Sequence, residues 1–198
     1  MQRRFLLTGL AIVMFASQAM AQGTPARLRG TVRALEDHAL TIEDRNGDPV
    51  RVALAPTYTV TAIVPTTLAA ITPGSMIGIV GFGPPKQQRA AVVSIFPPGA
   101  NVNPSQFAWD SQPDSVMTNA PVTSQVSAAN GRVLTVTIKG EPIEVTVPEN
   151  AIIQTSEPGT PDMIKPGAKV LIFAQKAADG TLSAARINVG KDGFTPAN

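Results

Sequence analysis

The chain has 198 residues, with no cysteine, one histidine, one tryptophan, 18 prolines and 16 glycines, and 16 Lys and Arg stand against 14 Asp and Glu. These counts exclude disulfides, cysteine-based zinc sites, thiolate nucleophiles and thiol redox chemistry. The abundance of Pro and Gly, without helical periodicity, points to many short strands and turns.

The first 21 residues read as a secretory signal. Arg3 and Arg4 supply a positive start, and Phe5–Phe15 is an apolar run, shorter than the roughly 20 residues a spanning helix needs. Ala19-Met20-Ala21 is a small-x-small cleavage pattern, so the mature chain is expected to begin at Gln22 and to be periplasmic or secreted. Arg3-Arg4 runs straight into Phe5-Leu6 without the intervening residue of a twin-arginine signal, which favours the general secretory route. Removal of the two arginines leaves 14 basic against 14 acidic residues. The sequence pI of 9.2 therefore belongs to the precursor, and a formally neutral mature chain offers no evident basic face for nucleic acid. No later stretch is apolar for long enough to form a spanning helix.

The mature sequence repeats at a spacing near 94 residues. Val32-Arg33-Ala34 through Ile42 matches Val126-Ser127-Ala128 through Val136, which makes Arg132 the expected counterpart of His38. Val50, Val52 and Leu54 match Ile143, Val145 and Val147. Ile71-Thr72-Pro73-Gly74 matches Ile164-Lys165-Pro166-Gly167, with Ile77 and Ile79 then matching Val170 and Ile172. Ala90-Ala91, Val93 and Ile95 match Ala184-Ala185, Ile187 and Val189. Period-two alternation turns one row of Val, Ile and Leu inward. Asn46-Gly47, Asn130-Gly131 and Asp179-Gly180 are hairpin signals, and Thr66–Ile71 and Gly159–Ile164 are each expected to hold one helical turn.

The expected fold is all-β: two tandem small antiparallel barrels, OB-like with an SH3-like alternative, because closure removes exposed edges. The predicted organisation is a signal over 1–21, a first barrel over 22–97, an irregular linker over 98–120, a second barrel over 121–190 and a tail over 191–198. The linker carries Phe107, Trp109 and Asp110. Since a barrel of about 70 residues has a marginal core, both rings are expected to bury between the barrels.

Candidate chemistry is sparse. Glu36, Asp37 and His38 are the residues of a possible metal site, although three or four convergent ligands are required and a polar hairpin turn accounts for them more simply. Met76, Met117 and Met163 are the candidates for a soft metal, but their separation favours packing roles. Asp44, Asn46 and Asp48 lack the spacing and the closing Glu of a calcium loop. Gly81-Phe82-Gly83 runs into Pro84-Pro85 and cannot cradle a phosphate. No Ser-His-Asp set or nucleophile elbow is present, so no catalytic residues, no cofactor and no enzyme activity are expected. Of the mature aromatics, none interleaves with a basic run, while a glycan- or peptide-binding face stays open.

The tandem pattern, the Ile-x-Pro-Gly turns, the strand Thr181-Leu182-Ser183-Ala184-Ala185-Arg186-Ile187 and the segment Trp109-Asp110 to Met117-Thr118-Asn119 resemble a group of exported bacterial proteins. These carry tandem OB-like repeats of a domain of unknown function and are often labelled metal ABC transporter permeases. A permease needs several spanning helices, which this sequence does not offer, and the resemblance brings no catalytic residues with it. The expected function is a non-enzymatic periplasmic binding or interaction module for a small ligand or an envelope protein, with Trp109, Asp110 and Asn119 as its site. The alternatives are a periplasmic accessory that handles a metal ion through His38, Glu36 and Asp37, and an envelope structural or adaptor protein.

Overall fold

The computed structural model describes residues 23–128 and 131–197. The signal segment and Asn130 of one predicted hairpin lie outside them. The described chain holds twelve strands and no α-helix. The strands are β1 (Thr24–Glu36), β2 (Ala39–Asp44), β3 (Pro49–Pro65), β4 (Met76–Phe82), β5 (Gln87–Ile95), β6 (Ser105–Ala108), β7 (Val116–Ala128), β8 (Gly131–Ile138), β9 (Glu141–Pro148), β10 (Ile152–Pro158), β11 (Lys169–Lys176) and β12 (Leu182–Gly190). The two predicted helical turns are 3-10 turns at Leu68–Ala70 and Pro161–Met163.

Strands β1, β2, β3, β12 and β11 close a five-stranded barrel. Its neighbours are antiparallel except β3 and β12, which run parallel. Inward alternation fills it with Leu40, Ile42 and Val52 from the first half of the chain and Val170, Ile172 and Ile187 from the second. Strands β7, β8, β9, β5 and β4 pair in the corresponding order. Their β9–β5 junction is parallel and short, Gln87–Arg89 against Glu144–Thr146. Ile77, Ile79 and Val93 pack there with Leu134, Val136 and Val145. β10 joins the two sets, antiparallel to β3 and parallel to β5.

This is not the predicted tandem arrangement, because each set takes strands from both halves. The two Pro-Gly turns show the exchange. The Gly74 N–H donates to Val122 O at 2.8 Å and the Val122 N–H to Ser75 O at 2.9 Å. The Gly167 N–H donates to Val32 O at 2.9 Å and the Val32 N–H to Ala168 O at 2.8 Å. Both glycines sit at φ +88°, a conformation glycine adopts without steric cost. The chain changes sides where β3 crosses β10. There Thr66 N–H donates to Ile153 O at 2.9 Å and Gly159 N–H donates to Val60 O at 3.0 Å, two equivalent bonds across a pseudo-two-fold. Alternation decides which face of a strand points inward, but not which of two similar partners it pairs with.

The first repeat block also shifts. β1 and β7 carry the same bulge, at Arg33 and Thr123, and the counterpart of Val32 is Val122, not Val126. Val32 and Val122 are each 1% exposed, whereas Val126 is 62% exposed. A four-residue slip preserves period two and so leaves the alternation pattern unchanged. Arg132 is accordingly a strand residue, donating to Leu68 O at 3.2 Å and to Gln125 Oε1 at 3.1 Å, while His38 lies in the exposed turn between β1 and β2.

The segment predicted as an irregular linker contains β6 and the start of β7. β7 begins at Val116 because Val116–Pro121 pairs with β4 and Val116–Asn119 also pairs with β6. The tail folds back: Gly190 lies so close to Phe194 O that a Cβ there would overlap it, and the Ala197 N–H donates to Gln154 Oε1 at 3.1 Å. Among the described residues, no helix is long and apolar enough to cross a membrane.

Candidate functional site

A cleft of 730 Å³ opens between the outer faces of the two strand sets, over the β3–β10 crossing. This is the size range of small-molecule sites. Two structurally equivalent rows lie on those outer faces, and only the first lines the cleft in full, the second meeting it through Met117 alone. On one side, Arg27 of β1 faces Phe173 of β11, which faces Arg186 of β12. On the other, Met117 of β7 faces Val80 of β4, which faces Val92 of β5. Directly opposed residues project from the same face of a sheet.

Bulges aim these rows. In β12 an extra residue, Ala185, falls between the pairs Phe173–Arg186 and Ala174–Ala184. Ala184 and Ile187 therefore both point into the core, and Arg186 and Asn188 turn outward to the cleft. Re-aiming a side chain is a regular consequence of a β-bulge. Ala91 does the same in β5, so that Val92 faces outward beneath the covering segment. The Ala-Ala doublets, each breaking the period-two pattern, were the sequence signal for both positions.

The Met117–Val80–Val92 row is buried, with Trp109, Ala91 and Ala197 packed on it. Trp109 also meets the opposite wall. The Arg27 guanidinium lies 4.0 Å from the centroid of its ring and that of Arg29 lies 5.8 Å away, close enough for cation–π attraction. Asp110 clamps the same pair, accepting from Arg29 Nη2 at 2.8 Å with Arg27 Nη1 at 3.5 Å. Partial burial works to raise the Asp110 pKa, but the hydrogen bond from Arg29 and the charges of Arg29 and Arg27 outweigh it. The carboxyl is held below its ordinary value. Among the described residues, no hydrogen-bond partner reaches the buried Trp109 Nε1 or Arg29 Nε.

The expected interfacial burial of both rings is thus half realised. Trp109 is partly buried, but Phe107 is 40% exposed and lines the cleft, 5.9 Å from Trp109 between ring centroids. Asn119 lines it too, beside Phe96. Both fit because a Cβ on Gly78 would stand 3.0 Å from Asn119 Oδ1 and 3.2 Å from the Phe96 ring. Of the three expected site residues, Trp109 and Asn119 therefore reach the cleft, and Asp110 braces Trp109's surroundings from outside the lining.

Two lining residues had no place in the sequence expectation, Arg27 and Arg186. The Arg186 guanidinium stacks 3.9 Å from the Phe173 ring centroid, and desolvation lowers its pKa from the ordinary arginine value. The cleft's carboxylate, Glu157, is paired with Lys191 at 3.2 Å. Ser94 and Gln154 are joined by a buried hydrogen bond of 2.9 Å at its base. The arrangement supplies apolar surface, amides and cations, which suits binding.

The metal candidates do not assemble. Among the described residues, no group of three or more His, Asp or Glu is placed to share a metal ion, so Glu36, Asp37 and His38 remain neighbours in a turn. Met117 and Met163 pack against different cores, and Met76 belongs with neither. Asp44 Oδ1 accepts from Asn46 N–H at 2.8 Å and Asp48 N–H at 3.0 Å, an Asx turn closing the Asn46-Gly47 hairpin. Compared with known proteins, the chain matches no family model, no curated protein and no solved structure.

Proposed function

We propose that this is a non-enzymatic binding protein of the bacterial cell envelope, built as two OB-like barrels with exchanged strands, that takes a small ligand in the cleft beside Trp109. The signal-like start supports the address. The pairing order of each strand set supports the OB-like assignment: a three-stranded meander, one strand beside its first member and another parallel to its third, these two following the meander in the first set and preceding it in the second, with the neighbour relations of a five-stranded Greek-key barrel. The observation that carries the reading is the cleft itself, 730 Å³ and lined by Phe96, Phe107, Trp109 and Phe173, with Phe107 left exposed. An exposed ring beside a concave apolar surface is what a ligand site presents.

The test is titration with N-phenyl-1-naphthylamine, a neutral apolar fluorophore. One saturable site is expected, with quenching of Trp109 and affinity reduced at least fivefold in Phe107→Ala. Absence of saturable binding, or binding indifferent to Phe107→Ala, overturns the reading and leaves the envelope adaptor role to be tested by pull-down.

A further inference from the structure

Arg186 is the one cleft cation that nothing in the fold explains. Arg27, across the same row, meets Asp110 and lies over Trp109. Arg186 has only the Phe173 ring: among the described residues, no carboxylate stands within 4.0 Å of it and no acceptor takes its hydrogen bonds. Its counterpart in the other strand set is Val92, so the barrel architecture makes no demand for charge at this point. The Ala185 bulge nevertheless turns Arg186 into the cleft, with Asn188 on the same face two residues on. A guanidinium left with all its donors unspent, over a ring and next to an amide, is a receptor for a planar anion.

We propose that the cleft takes a small amphipathic carboxylate, its acid group on Arg186 and its apolar body along Phe96, Phe107 and Trp109. This rests on the cleft being a ligand site. Glu157 does not oppose it, since Lys191 offsets that charge. The planar fork pairs with carboxylate or phosphate alike, but a single cation neutralises a carboxylate and leaves one charge of a phosphate dianion unmatched in the cleft. The 730 Å³ volume fits a small molecule, with an apolar majority in its lining that a free inorganic anion leaves unused.

The experiment is displacement of bound N-phenyl-1-naphthylamine from the mature protein by decanoate, by decanamide and by inorganic phosphate, below the micellar range. Decanoate is expected to bind at least tenfold more tightly than decanamide, in keeping with a charge-assisted hydrogen bond. Phosphate is expected to displace nothing. Arg186→Gln should erase the preference for the acid by weakening decanoate far more than decanamide, with unfolding temperature confirming that the variant is folded. The acid–amide comparison in the unaltered protein stands even if that variant fails. Equal displacement by acid and amide, survival of the preference in Arg186→Gln, or displacement by phosphate alone each overturns the proposal while leaving the cleft a binding site. Failure of the fluorophore to bind removes both.

Discussion

Two rows of side chains occupy the same position in the two strand sets and have opposite characters. Met117, Val80 and Val92 form a dry row under Trp109 and Ala197. Arg27, Phe173 and Arg186 form a charged row open to the cleft. The two strand sets offer equal frameworks, and different residues at three equivalent positions make one row a seat for the central segment and the other a surface facing solvent. Trp109 connects them: its ring packs on the first row and lies under the guanidinium of Arg27 in the second. The cleft lies where these two unlike faces meet, each built from strands of both halves of the chain.

Several substitutions test this contrast. The largest expected effect comes from separating the halves. Residues 23–97 alone lack β11 and β12, and residues 105–197 alone lack β4 and β5, so each leaves strand edges and core surface open. Neither is expected to show cooperative thermal unfolding as a monomer; a stable monomeric half would contradict the exchange. Next come the equivalent core positions Ile79 and Ile172, both fully buried. Either change to Ala should cost about 2–5 kcal/mol. Because β10 joins the strand sets through β3 and β5, each should lower one common calorimetric transition instead of splitting it.

Swapping character between the rows is the sharper comparison. Val92→Arg places a charge without a partner beneath Trp109 and should destabilise by about 3 kcal/mol or more. The mirror change, Arg186→Val, should stay within about 0.5 kcal/mol in denaturant unfolding, as exposed substitutions usually do. Equal costs for the two would remove the distinction between a covered and an open row.

A small, pH-dependent effect is expected at Asp110. Its paired carboxyl titrates below the ordinary aspartate value, so its contribution is complete above that value, about pH 3.9, and is lost as pH falls through the lower, folded value. Because its side chain is 42% exposed, solvent screening limits the loss in Asp110→Asn to about 0.5–1 kcal/mol at neutral pH. The gap between variant and parent should close as urea melts are repeated below pH 3.9. A gap that persists in acid would mean that Asp110 acts through packing.

What was legible in the sequence follows the physics of each signal. Inward alternation located Leu40, Ile42, Val52, Ile172 and Ile187, and the Pro-Gly pairs located two turns, though not the strands, at Val32 and Val122, on which they close. Alternation is blind to even-numbered slips, which is why Val126 stood in for Val122. It is also blind to the choice between two similar partners, which is why strands in exchange read as barrels in tandem. Trp109 was legible because an indole in a Pro- and Ser-rich stretch asks for a surface to cover. Arg186 was not, since a lone arginine in a strand ordinarily faces water. Only the Ala184-Ala185 doublet before it betrayed the bulge that turns it to the cleft.

The exchange of strands is the central claim, and disulfide trapping tests it most directly in a chain that has no cysteine of its own. Thr31 of β1 is opposite Lys169 of β11, whose Nζ donates to Thr31 Oγ1 at 2.7 Å. Directly opposed strand residues lie about 4.5–5.5 Å apart between Cα atoms, within disulfide reach. In a tandem arrangement the neighbour of Thr31 would instead be Met76, the counterpart of Lys169. The account predicts that Thr31→Cys with Lys169→Cys forms an internal disulfide in the monomer under mild oxidation, and that Thr31→Cys with Met76→Cys does not. The reverse result would contradict it.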